Sequence, residues 1–134
     1  MAAVGADNKR LLEHAYAEAS KGNGVPLFES LRDDVVWTII GTTALSGVYR
    51  GKAEVRDRLF AGLRARLTGP VVFTPERFIA EGDHVVMQAR GQATAKSGKP
   101  YNNTYCIVAR FTDGKIVEMI DYIDTELITS ALGR

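Results

Sequence analysis

Residues 101–124, YNNTYCIVARFTDGKIVEMIDYID, contain two strand-length apolar runs on either side of Asp113-Gly114. Asp-Gly between such runs is a strong hairpin signal, because a tight reversal needs left-handed backbone that glycine adopts freely and aspartate tolerates. Working backward, VVFTPERFIAEGD (71–83) and HVVMQARGQATA (84–95) have the same character. Their boundaries are Glu81-Gly82-Asp83 and Ser97-Gly98-Lys99-Pro100, both turn chemistry. Four consecutive strands with short connections predict an antiparallel meander.

Upstream the period changes. After Asp7, read as an N-cap, Leu11, Leu12, Ala15, Tyr16 and Ala19 recur at helical spacing until Lys21-Gly22-Asn23-Gly24 stops them. Pro26 opens a short second helix with Leu27, Phe28 and Leu31 as its apolar side. DDVVWTII (33–40) is strand-like, and GTTALSG (41–47) reads as a loop. From Lys52 to Leu67 the stripe Val55, Leu59, Phe60, Leu63 and Leu67 marks a third helix. The order α-α-β-α-β-β-β-β, with three helices over one face of a curved antiparallel sheet, predicts a single α+β domain over 1–134 with a cone-like interior.

Composition narrows the function. At 134 residues, 46% hydrophobic, 25% charged and with a net charge of +1, the chain has room for one core and no global bias toward nucleic acid or acidic membranes. Arg56, Arg58, Arg64 and Arg66 on the third helix read as a solvated face, with Glu54 placed to pair with Arg58 at i, i+4. Cys106 is the single cysteine, so there is no internal disulfide, and its apolar run makes it a buried filler. The N-terminus lacks a signal-peptide pattern, and no apolar run reaches the ~20 residues of a membrane span. A cytoplasmic location is therefore expected. The stretch around Gly47–Lys52 lacks the glycine and hydroxyl of a phosphate loop, and Asn102-Asn103-Thr104 is a sequon without a secretion signal. His14 and His84 have no metal-spaced partners, so no metal or cofactor is expected.

The two carboxylates in the last strand are the chemically interesting groups. Three residues apart on a strand, Asp121 and Asp124 point to opposite faces and cannot act as a pair. Asp124, at the strand end, is expected to close the strand or cap the following TELITSAL. Asp121 shares its face with Met119 and Ile123, and a carboxylate there is costly unless it is partnered or gives up its charge. Facing a pocket lined by Met119, Ile123, Trp37 and Ile39, it would be desolvated and its pKa raised toward that of a general base. Arg90, if adjacent, would hold it ionised as a strand-to-strand ion pair. Tyr16, Asn103 and Tyr105 could donate to a substrate oxygen.

The element order, the GVYRGKAEV entry to the third helix (47–55) and GKPYNNTYCIVARFTDGKIVEMIDYIDT (98–125) resemble the NTF2-like superfamily, and within it the SnoaL-like, ketosteroid-isomerase-related proteins. The resemblance implies a cone with an open apolar pocket, an outer sheet face that builds a homodimer, and a small apolar ligand. Tyr16 stands where ketosteroid isomerases keep an oxyanion-donating tyrosine, whereas Ile39 and Ile107 occupy the places of their two acids. Against limonene-epoxide-hydrolase-like members, Asp121 matches the last-strand aspartate and Arg90 the central arginine. Gln92 replaces the partner acid there, and Trp37 and Ile39 replace the tyrosine and asparagine that hold water. The polyketide-cyclase-like members require one acid/base aspartate, which Asp121 would supply. Acid/base chemistry of cyclase, isomerase or lyase type is the reading this favours, with a non-catalytic ligand-binding or dimerisation module and an epoxide hydrolase as alternatives.

Overall fold

The Asp113-Gly114 reversal closes the hairpin between β5 (Thr104–Thr112) and β6 (Lys115–Ile123), with both turn residues in the left-handed region at φ 49° and 75°. The computed structural model describes residues 2–134. Strands β3 (Val72–Glu81) and β4 (His84–Gln92) complete the expected antiparallel meander. Strand β1 (Leu31–Ile39) then lies parallel to β6, pairing Trp37 with Met119 and Ile39 with Asp121. The sheet is therefore mixed rather than wholly antiparallel. A short β2 (Gly47–Arg50), inside what reads as a loop and its exit, doubles back on β1 as an edge strand, giving the order β2-β1-β6-β5-β4-β3.

Register shifts bend the sheet between Leu31 and Val36 in β1, between Pro75 and Arg77 in β3, and between Arg110 and Phe111 in β5. Such irregularities increase local twist and curvature, and Pro75 is accommodated because β3 is an edge strand. The concave face carries Val85, Met87, Ala89, Tyr105, Ile107, Ala109 and Met119, all buried.

Helix α1 (Ala2–Ser20) and α2 (Val25–Ser30) cover this face. Because α1 starts at Ala2, Asp7 lies within it and pairs with Arg10 instead of capping its start. The helix 51–66 comprises α3 (Gly51–Glu54), a π-helical segment Val55–Phe60 and α4 (Ala61–Arg66). Its buried Val55 and Leu59 face the core. A C-terminal helix α5 (Thr125–Leu132), absent from the predicted element order, packs Ile128 and Ala131 with Leu45, Leu67 and Tyr101 in a second cluster. Cys106 is half-buried on the convex side, one residue out of phase with buried Tyr105 and Ile107, and is not a core filler. Among the described residues no helix is long and apolar enough to cross a membrane.

Candidate functional site

Between the concave face and the helices lies a cavity of about 630 Å³, within the usual range for small-molecule sites. Tyr16 from α1, Trp37 and Ile39 from β1, Leu59, Phe60 and Leu63 from the long helix, and Phe73 from β3 make most of its wall. The π-helical stretch matters here because it contains both Leu59 and Phe60, and the Phe60 ring meets Trp37 edge-on at 5.7 Å.

Asp121 is on the inner wall, 7% exposed, between Ile39 on β1 and Ile107 on β5. The Trp37 indole N–H donates to its Oδ1 at 3.0 Å, the one protein hydrogen bond to this carboxyl among the described residues. Burial disfavours the charged form and pushes the pKa up to about 7, with the Trp37 hydrogen bond pulling weakly the other way. Asp121 thus exchanges its proton in the neutral range, where a general base is most effective.

Three phenols surround it. Tyr16 is buried and its pKa is raised well above the usual value, first by desolvation and then by the charge of Asp121. Tyr105 is raised likewise by burial and by its neighbours Tyr101, Asp121 and Tyr16. Tyr101 is raised by burial, less so because the Asn103 amide donates to its oxygen at 3.0 Å. All three remain protonated donors at neutral pH. Phe73 stands edge-on to both Tyr16 and Tyr105, at 5.0 and 4.9 Å between ring centres, and fixes their spacing. Gly91 makes room for this arrangement: a Cβ there would come within 2.5 Å of Cε1 of Tyr105 and 2.8 Å of Cγ1 of Val71.

Of the other expected site residues, Ile123 lines the cavity and Arg90, Gln92, Asn103 and Met119 do not. Arg90 does not meet Asp121. It is exposed on the convex face, 3.8 Å from Glu76, because β4 turns Val85, Met87, Ala89 and Gly91 inward. Gln92 shares that outward parity and is exposed. Asn103 is buried, yet its amide is committed to structure. It donates to Tyr101 Oη and to the Asp124 carbonyl, and its Oδ1 accepts from the backbone N–H groups of Thr104 and Asp124. Met119 belongs to the core, and Ile123 lines the cavity. Asp124 points away and caps α5, accepting from the Leu127 N–H at 3.2 Å. His14 is exposed, and His84 is a surface residue against Asp83.

Several lining residues are not marked as such by the sequence, among them Leu59, Phe60, Leu63, Phe73 and Tyr101, and of these Tyr101 is the one that brings a phenol close to Asp121. It precedes β5, but Tyr101, Asn103, Tyr105 and Ile107 are buried in alternation, so extending the strand period backward would have included it.

Residues 12–119 match the SnoaL-like domain family. No curated protein matches the chain. Among solved structures, an NTF2-like protein of unknown function from Burkholderia pseudomallei is similar at 21% identity and a TM-score of 0.86, over 96% of this chain and 98% of that one. TerC, co-crystallised with polyporic acid, is 23% identical with a TM-score of 0.83, over 96% and 99% of the two chains. A candidate SnoaL-like polyketide cyclase from Jannaschia is 16% identical with a TM-score of 0.81, over 97% and 94%. These likenesses establish the NTF2-like, cystatin-like α+β fold.

Proposed function

The chain belongs to the SnoaL-like domain family, and from its cavity we propose that it binds a small, largely apolar molecule with a carbonyl function and moves a proton on it. The observation that carries this reading is Asp121: a carboxyl buried in a cavity wall, with Trp37 N–H as its hydrogen bond and a pKa near 7. As carboxylate, it takes a proton from the carbon next to the carbonyl. The electron pair moves to the carbonyl oxygen, where phenols of Tyr16, Tyr101 and Tyr105 are the available donors. The resulting acid returns the proton to the same or another carbon, which is the core step of isomerase and cyclase chemistry. Trp37 holds the carboxyl in place and favours its ionised state modestly. TerC supports a ligand in such a fold, having been co-crystallised with polyporic acid.

Epoxide opening by an Asp-Arg-Asp set is not proposed, since Arg90 and Gln92 lie on the convex face. That face, with half-buried Val86, Val108 and Ile120 and the exposed Tyr122, is the surface proposed for pairing two copies. Sedimentation of the wild type would test that pairing.

The chemical reading is tested by deuterium uptake at the α-carbon of aryl ketones in D₂O, followed by ¹H NMR. Wild type should catalyse uptake and Asp121→Asn should abolish it while retaining ketone binding. Equal uptake by both proteins would remove Asp121 from the chemistry.

A further inference from the structure

The long helix carries four arginines, and three are accounted for within the protein. Arg56 pairs with Asp57 at 2.8 Å, Arg58 with Glu54 at 2.6 Å, and Arg66 donates to the Gly62 carbonyl at 3.0 Å. Arg64 has no hydrogen-bond or ion-pair partner among the described residues, and it is the one of the four that lines the cavity. Lys96, on the connection after β4, also lines the cavity, and its ammonium is likewise unpartnered among the described residues. Lys21, Lys99 and Lys115, by contrast, each reach an acceptor. Arg64 and Lys96 are both exposed, so they belong to the rim. The Lys96 N–H donates to the Arg66 carbonyl at 2.9 Å, which ties its segment to the last turn of the helix bearing Arg64. The cavity thus has two cations at its mouth and a single carboxyl, Asp121, in its buried wall.

We infer that the ligand is amphipathic, with an apolar body inside the cavity and a carboxylate or similarly charged group held at the rim by Arg64 and Lys96. This rests on the reading of the cavity as the ligand site and adds the ligand's class and direction of entry. A charged head is cheap to leave at a wet rim and costly to bury, so it sets which end goes in. It also keeps the anion away from Asp121, whose charge would repel it, and presents the uncharged end to that carboxyl.

Two fluorescent probes test this: 1-anilinonaphthalene-8-sulfonate, and N-phenyl-1-naphthylamine, which has the same apolar body without the sulfonate. Titrations at low salt would use wild type, the double variant Arg64→Gln/Lys96→Gln, and Ala19→Phe, which narrows the cavity wall. The double variant should bind the sulfonate about five- to tenfold more weakly, the effect of losing two partly screened charge contacts, and the neutral probe unchanged. Ala19→Phe should weaken both probes. No loss in the double variant, or equal loss for both probes, would overturn the rim assignment while leaving the cavity reading intact. If Ala19→Phe weakens neither probe, the cavity reading fails and this inference with it.

Discussion

Replacing Asp121 with Asn keeps size and shape, lets the side-chain oxygen still accept from Trp37, and removes the ability to ionise. The folded protein holds this carboxyl's pKa at about 7, against an ordinary 3.8, because burial penalises the charge. Below about pH 4 both folded and unfolded chains are protonated there, and the group costs nothing. As pH rises toward 7 the unfolded chain releases its proton and the folded chain does not, so stability falls with pH across that window. The rise from 3.8 to about 7 corresponds to a loss on the order of 4 kcal/mol, complete just above pH 7. The amide of Asp121→Asn does not ionise and carries no such pH dependence. Urea denaturation followed by far-ultraviolet circular dichroism, repeated from pH 4 to pH 8, gives both stabilities. The variant should gain on wild type by roughly 1.4 kcal/mol per pH unit between pH 4 and pH 7, other groups cancelling in the difference. A difference that stays flat within about 1 kcal/mol would mean Asp121 is solvated like a surface carboxylate. Such a carboxyl would be ionised well below neutral pH and would be a weak base.

Trp37→Phe removes the donor that lowers the Asp121 pKa, so the carboxyl should titrate higher still, as read from its ¹³C shift. Arg90→Ala should leave that titration unmoved and cost under about 0.5 kcal/mol, since Arg90 is exposed and its contact with Glu76 is long. Asn103→Ala strands buried partners at the β5–β6 end and should cost about 3 kcal/mol in urea denaturation. Gly91→Ala should displace the Tyr105 ring, costing about 1–3 kcal/mol and shifting Tyr105 ring resonances in NMR spectra.

What could be read from the residues was local, and what could not was the meeting of distant segments. Asp-Gly specifies a turn by its own backbone preferences, and the alternation around Asp121 specifies its face, so both are visible in a few residues. The parallel contact of β1 with β6 joins positions about 85 residues apart and leaves no turn to announce it. Strand β2 spans Gly47–Arg50 and is exposed on most of its positions, too short for a period to register. Arg90 matches a catalytic pattern only by likeness to other family members. The parity of Val85, Met87 and Ala89, which places it outside, is blurred by apolar Val86 at an outward position. Asn103 does share the inner face with Tyr105, but the amide's four hydrogen bonds depend on where Asp124 arrives. Side-chain direction was within reach of pattern reasoning, whereas side-chain employment was not.

The chain contains one tryptophan, and that indole is the hydrogen-bond partner of Asp121 in the cavity wall. Near-ultraviolet emission excited at the red edge of its absorption therefore comes from a single ring at the proposed reaction centre. Loss of the Asp121 proton places a negative charge 3.0 Å from that ring's nitrogen, and a bound molecule would press against the same ring. Every purified sample thus carries its own unlabelled indicator of carboxyl ionisation and cavity occupancy, readable in a cuvette before any substrate is known.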